Sequence, residues 1–258
     1  MEQYPPDYQP NHFELFFARV WALWGLLSFI VTFLIIFPFS MLAWLMPFKK
    51  GQHYFIGISR IWMNGWLALI RCPVAIQGKA HFQKGRQYIV VFNHNALLDV
   101  PLSAPYVPGA NKTIAKSSFA KVPVFGWFYS RGAVLVNRSD EGSRRRSYEQ
   151  MKAVLAGGMH MCLYPEGTRN RTAAPLKPFY DGAFKLAVDT STPIMPCIIT
   201  GTRKAMPAHR FFYLLPTQLT MQFLPPVLPD HRSVQALKQL VFNNMQEVYL
   251  DTVQHSSR

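Results

Sequence analysis

Acidic residues and cysteines are scarce in this sequence. Its 258 residues hold 13 Asp and Glu against 27 Lys and Arg, a formal net charge of +14. So few acids suit the chain to an anionic partner: nucleic acid, a membrane surface or a phosphorylated substrate. The three cysteines, Cys72, Cys162 and Cys197, are odd in number and widely spaced. They form neither a disulfide framework nor a zinc pattern, and they read as small buried hydrophobes in a reducing compartment. No metal and no cofactor is expected. There is no Gly-x-Ser-x-Gly elbow and no cysteine beside a histidine, so no enzyme nucleophile is evident. Internal repeats, low-complexity tracts and nucleic-acid motifs are also missing, and no nucleic-acid partner is expected. The start carries Glu2, Asp7 and Glu14 with only Arg19 basic, and no small-residue cleavage site precedes Lys49. A cleaved signal peptide is therefore not expected.

Charge itself is missing from Val20 to Phe48. A helix of about 20 apolar residues crosses a bilayer core, so this run is long enough. Pro38 and Pro47 interrupt it, which leaves two readings. One is a spanning helix ending near Phe37, and the other is a helical hairpin dipping into one leaflet. Trp21, Trp24, Trp44 and Trp62 suit an interfacial belt, and Lys49, Lys50, Arg60 and Arg71 place the following chain on the cytoplasmic side. A mixed segment from Tyr54 to Ile70 carries Arg60 and Asn64 among its apolar residues. It reads as interfacial or packed on the first helix. Residues 1–72 are therefore expected to anchor the chain to the cytoplasmic membrane, with membrane lipids as partners.

From Pro73 to residue 258 the pattern alternates. Val74–Gln77, Tyr88–Phe92, Ala133–Val136, Met159–Leu163, Ile194–Thr200 and Leu219–Leu224 read as strands. Leu98–Tyr106, Ser143–Ala156, Gly182–Asp189 and Ser233–Val253 read as helices. This alternation predicts a single α/β domain around a largely parallel sheet. Arg144, Arg145 and Arg146 open one helix, either as a solvated face or as a contact with lipid headgroups.

Two short segments carry chemistry. His94 and Asp99 follow the strand-like run ending at Phe92, where α/β folds place their sites. On a regular helix a pair five apart points about 140° apart. His94 is therefore expected in the turn before the helix and Asp99 in its first turn. A histidine oriented by a carboxylate can take a proton from a hydroxyl; the plain alternative is a satisfied core histidine beside a helix-capping aspartate. Tyr164-Pro165-Glu166-Gly167-Thr168-Arg169 follows another strand. Its arginine fork suits a phosphate, and a glycine turn lets backbone N–H groups approach an anion. The alternatives are a surface ion pair of Arg169 with Glu166 and a mere turn at Gly167.

Four blocks then line up in order. They are Asn93-His94-x4-Asp99; Lys116-x6-Pro123-x2-Gly126; Gly132 through Arg138; and Glu166-Gly167-Thr168-Arg169, followed by Pro178-Phe179, Gly182-Ala183-Phe184 and Thr192 through Pro196. Their joint occurrence over roughly residues 73–225 resembles the glycerolipid acyltransferase family. The resemblance implies that His94 is the general base and Asp99 its orienting partner. It implies that Lys116, Arg138, Glu166, Gly167, Thr168 and Arg169 shape the site for an acceptor's phosphate, and that Ile194 and Pro196 lie on the acyl-donor side. It implies an acyl-CoA or acyl-carrier protein co-substrate and a lysophospholipid acceptor, lysophosphatidic acid first. In one place the pattern departs. Phe179-Tyr180-Asp181-Gly182 stands where a lysine-rich turn is commoner, which opens the choice of headgroup.

Three rivals remain. One keeps the chemistry but takes another lysolipid, such as lyso-ornithine lipid. The second is a membrane-anchored module that binds nucleic acid or anionic lipid through charge alone. The third is a membrane hydrolase using His94 and Asp99 on water, which has no need of a phosphate-binding block.

Overall fold

The computed structural model describes residues 10–255; the first nine residues, with Glu2 and Asp7, and the last three lie outside that span. Seven strands form one sheet: β1 Val74–Gln77, β2 Ile89–Phe92, β3 Asn111–Lys116, β4 Ala133–Val136, β5 His160–Leu163, β6 Ile194–Thr200 and β7 Leu219–Phe223. Their order is β1-β7-β6-β2-β5-β3-β4. Every neighbouring pair is parallel except β6 with β7. Eight α-helices accompany them among the described residues: α1 His12–Met41, α2 Phe48–Leu69, α3 Asp99–Tyr106, α4 Phe125–Gly132, α5 Glu141–Ala156, α6 Gly182–Thr190, α7 Thr202–Ala205 and α8 Val234–His255. The chain is thus α/β with a mostly parallel sheet, as its alternation predicts.

Both faces of the sheet are covered, which is why β2 is apolar at every position. Val90 and Phe92 enter a core shared with Trp62, Trp66 and Leu102 of α2 and α3. Ile89 and Val91 enter a second core, with Phe184 and Leu237 of α6 and α8. The first core also takes Phe33 of α1. The N-terminal helices therefore pack into the core of the α/β unit, across the expected boundary at residue 72.

The apolar run folds as a helical hairpin. α1 continues through Pro38 to Met41, a 3-10 turn follows over Leu42–Leu45, and Pro47 precedes α2. Indole N–H groups rivet the two helices antiparallel. Trp21 donates to the Ile70 carbonyl, Trp24 to Leu69, Trp66 to Gly25 and Trp62 to the Thr32 hydroxyl, each at 2.9–3.0 Å. Of the four tryptophans expected in an interfacial belt, Trp62 is instead 6% exposed inside the core, while Trp44 is 54% exposed. The helical stretch His12–Leu45, α1 with the turn that follows it, is long and apolar enough to cross a membrane. Its outward residues, among them Phe13, Val20, Leu27, Val31 and Ile35, are exposed.

Three elements fall outside the expected pattern: β3, α4 and the four-residue α7. β3 reads Asn-Lys-Thr-Ile-Ala-Lys, lies near the sheet edge and is mostly half-buried, so it lacks the continuous apolar signal of β2. α4 is eight residues, six of them aromatic or glycine, too short for a helical period to show. α5 starts two residues earlier than expected because Asp140 caps it, accepting from the Ser143 N–H.

The end of β2 is pinned sideways. The buried Asn93 side chain donates to the Ile199 carbonyl at 2.8 Å and accepts from the Ile199 N–H at 2.7 Å. This amide clamp replaces one rung of ladder just where β2 turns into the next segment. Asn93→Ala leaves a buried donor and acceptor unpaired on β6. The expected loss is about 2–4 kcal/mol of stability, read as a lowered midpoint in thermal or urea unfolding; an unchanged midpoint would remove Asn93 from the clamp.

Candidate active site

Asp99 is the first residue of α3, and His94 stands in the turn before it. The turn brings them together: His94 Nδ1 lies 2.9 Å from Asp99 Oδ2. The same oxygen accepts the N–H groups of Asn95 and Ala96 at 2.6 and 2.7 Å. Asp99 is fully buried and His94 is 15% exposed. An acceptor-only carboxylate at Nδ1 holds the proton there and leaves Nε2 as the basic nitrogen. The reading of an unconnected core histidine and capping aspartate is thereby set aside.

Glu166 supports this turn from behind. It is fully buried. Its Oε1 accepts from the His94 N–H at 2.8 Å, and its Oε2 accepts from the Lys177 N–H at 3.1 Å. Burial pushes its carboxyl up to about 7, against the lowering effect of those two bonds. Asn170 N–H donates to the His94 carbonyl at 2.6 Å, so both backbone groups of His94 are held by the 166–170 segment. Tyr164 completes the support. Its ring lies 4.4 Å from the imidazole, and its hydroxyl donates toward the Asp99 carbonyl and Ser103 Oγ at 2.9 and 2.7 Å. Burial pushes that phenol well above its usual range, so it stays protonated.

A cavity of about 680 Å³ opens beside His94. Its polar part is lined by His94, Lys116, Arg138, Gly167 and Thr168, which brings blocks far apart in sequence onto one wall. Arg138 donates to the Gly167 carbonyl, tying β4's exit to the 166–169 turn. Gly167 has φ +72°, and a Cβ there would come within 2.7 Å of the Tyr180 ring, so the turn requires glycine. The remaining wall is apolar, built by Phe29 of α1, Phe55 and Trp62 of α2, Pro101 of α3 and Phe125 and Phe128 of α4.

Not every expected residue meets the cavity. Arg169 is half-buried beside it and makes no ion pair with Glu166, whose oxygens are taken by backbone N–H groups. Ile194 and Pro196 lie fully inside β6, paired with Ile89 and Val91. Ile194 faces the core on the opposite side of the sheet, and the strand's two-residue period points Pro196 the same way, so neither reaches the cavity. Lys177 was not foreseen. Its Nζ donates to Thr168 Oγ1 at 2.6 Å, adding a cation to the 166–169 turn; the signal was its place directly before Pro178-Phe179. Asp181 is turned away, held by Lys238 and Gln235 of α8 at 2.7 and 3.2 Å. The departure at that turn therefore sets no acid against a headgroup. Arg144, Arg145 and Arg146 are all exposed on α5. Among the described residues no three His, Cys, Asp or Glu side chains gather in a metal-holding group.

Comparison with known proteins agrees with this geometry. Residues 73–200 match the Acyltransferase family. A 1-acyl-sn-glycerol-3-phosphate acyltransferase from Chlamydomonas reinhardtii is 28% identical over 236 residues, 90% of this chain and 68% of that protein. One from Limnanthes douglasii is 28% identical over 239 residues, 91% and 78% of the two chains. The crystal structure of the 1-acyl-sn-glycerophosphate (LPA) acyltransferase PlsC from Thermotoga maritima superposes with a TM-score of 0.78 at 25% identity, covering 92% of this chain and 96% of that one.

His94→Ala is expected to lower turnover by about 10²–10⁴-fold with the fold intact, since the base is lost. Asp99→Asn should fall steeply as well, because a neutral amide keeps the three hydrogen bonds at Oδ2 but no longer stabilises the charge on a protonated His94. Steady-state rates with circular dichroism check both; near-normal turnover of folded His94→Ala would sink the base assignment.

Proposed function

We propose that this chain, which belongs to the glycerolipid acyltransferase family, moves a fatty acyl group from an acyl-CoA or acyl-carrier protein thioester to the free hydroxyl of lysophosphatidic acid, giving phosphatidic acid. The observation that carries the reading is the single cavity joining the His94–Asp99 pair, the cations Lys116 and Arg138, and a long apolar wall. A base, a phosphate cradle and an acyl slot are what this transfer needs.

The steps follow from the side chains. The acceptor's phosphate lies against Lys116, Arg138 and the Gly167–Thr168 turn, with Arg169 and Lys177 adding positive potential. Its hydroxyl then faces His94. Nε2 takes the hydroxyl proton as the oxygen attacks the thioester carbonyl, and Asp99 stabilises the imidazolium that forms. The tetrahedral intermediate collapses, the C–S bond breaks, and the leaving thiolate takes the proton from His94. No covalent enzyme intermediate is needed.

The substrate and product are lipids, so the site works against a bilayer. We place α1 along one leaflet of the cytoplasmic membrane, on the cytoplasmic side. α1 is riveted to α2, and α2 is packed on the sheet, so the helix cannot cross alone without dragging Arg60 and the domain with it. Its exposed apolar face supplies the anchor. Deleting residues 1–72 would also remove a cavity wall, so anchoring is tested on the whole chain: alkaline carbonate is expected to leave the full-length protein in the membrane fraction. Complete release into the supernatant would show that α1 is not an anchor.

The reaction is tested by incubating purified protein with labelled acyl-CoA or acyl-carrier protein and a panel of lysolipids. Lysophosphatidic acid is expected to be preferred; a preference for lyso-ornithine lipid would move the acceptor. Arg138→Ala and Arg169→Ala are each expected to raise the Michaelis constant for the phosphorylated acceptor about 10-fold, with little change for the donor. Equal effects on both substrates would take these arginines out of the phosphate cradle.

A further inference from the structure

Uncompensated positive charge collects at the edge of the sheet opposite His94. There the elbow between α1 and α2 folds over the starts of β3 and β5. Arg131, at the end of α4, is 4% exposed. Its guanidinium lies 5.4 Å from the Trp44 ring and 5.8 Å from the Phe48 ring. It donates to the carbonyls of Ala43 and Phe48 at 3.1 and 3.4 Å, and its buried Nε has no partner. Lys112 Nζ sits 5.3 Å from the same Phe48 ring. Burial first, and Arg131 second, push Lys112 down to about 8. Lys49 joins from the first turn of α2, its Nζ reaching Gly158 at the start of β5. No carboxylate pairs with Arg131, Lys112 or Lys49; the ion pairs among the described residues lie elsewhere.

A buried cation is costly unless a counter-charge meets it, and carbonyl dipoles and ring faces neutralise nothing. The surroundings say what kind of anion fits. Leu45 is 84% exposed, Trp44 54% and Phe48 52%, and they continue the exposed apolar face of α1. Acyl tails would lie on such a surface, with cations at its base where a phosphate would sit. We propose that the elbow holds one anionic phospholipid from the bilayer, its phosphate against Arg131, Lys112 and Lys49 and its tails along Trp44 and Leu45. The site is separate from the acceptor's phosphate cradle, which lies at the other end of the strands. The proposal rests on the membrane placement given above, but not on the reaction.

Native mass spectrometry of the full-length protein in detergent tests it, with phosphatidylglycerol and phosphatidylcholine as probes. One phosphatidylglycerol is expected to be retained per chain, more tightly than phosphatidylcholine. Lys112→Gln, which keeps Arg131 and the elbow in place, should weaken that retention about fivefold, the worth of one cation at a lipid surface. Arg131→Met should abolish it if the variant folds. Arg144→Gln with Arg145→Gln removes more charge from α5 and should leave retention unchanged, as should Arg138→Ala in the cradle. Equal retention of the two lipids, full retention by Lys112→Gln, or an equal loss in the α5 variant would overturn the site. A loss in Arg138→Ala alone would place the lipid at the acceptor cradle, which contradicts this site and leaves the reading of the reaction standing.

Discussion

The catalytic turn depends on a buried carboxylate that touches no cation. Glu166 accepts one backbone N–H from His94 and one from Lys177, and so joins two segments that are distant in the chain. Each oxygen has one donor, so the geometry needs acceptors on both sides. Desolvation resists the charge, which is why its carboxyl is pushed up to about 7. What it gains is position: His94, the glycine turn and Lys177 are fixed relative to one another. Asn93 and Asn170 extend the same frame with buried hydrogen bonds on either side of His94.

A second constraint links membrane and site. The hairpin of α1 and α2 shares its core with the sheet, and its side chains form the apolar wall beside His94. The helix proposed above as the anchor therefore also walls the cavity beside His94. One face of α1 is apolar and exposed and another is apolar and packed on protein, which explains why the run from Val20 to Phe48 shows no amphipathic period. Indole N–H bonds, not charge, set the pairing of the two helices.

Much of this was legible in the sequence, and the remainder has physical reasons. β2 and β6 are buried on both faces, so they appear as unbroken apolar runs. His94 and Asp99 are five residues apart and meet through one local turn, so their pairing follows from spacing. β3 is half-buried and carries two lysines, and its strand character comes from neighbours that no local pattern shows. Lys177 and Tyr164 act through contacts with segments 9 to 65 residues away, beyond the reach of periodicity. Ile194 and Pro196 show the converse: a family block can hold residues that build the strand behind a site without touching it. Of the expected tryptophan belt, Trp62 is instead packed in the core, while Trp24 and Trp44 stay exposed.

The direction of the sheet orders all of this. Parallel strands send their carboxyl ends to one edge, where the last residue of β3 supplies Lys116 and the segments after β2, β4 and β5 deliver His94, Arg138 and Glu166. Their amino ends meet at the opposite edge, which receives the elbow and its unpaired cations. The hairpin lies across the strands from one edge to the other, because Leu214 N–H bonds the Ala18 carbonyl near the start of α1 while Arg131 bonds Ala43 just past its end. The apolar wall of the cavity runs from beside His94 along α2 and α4. The arrangement is thus a consequence of strand direction: His94 and the cations Lys116 and Arg138 share one end of the strands, and the apolar cavity that adjoins them is walled by α1 and α2.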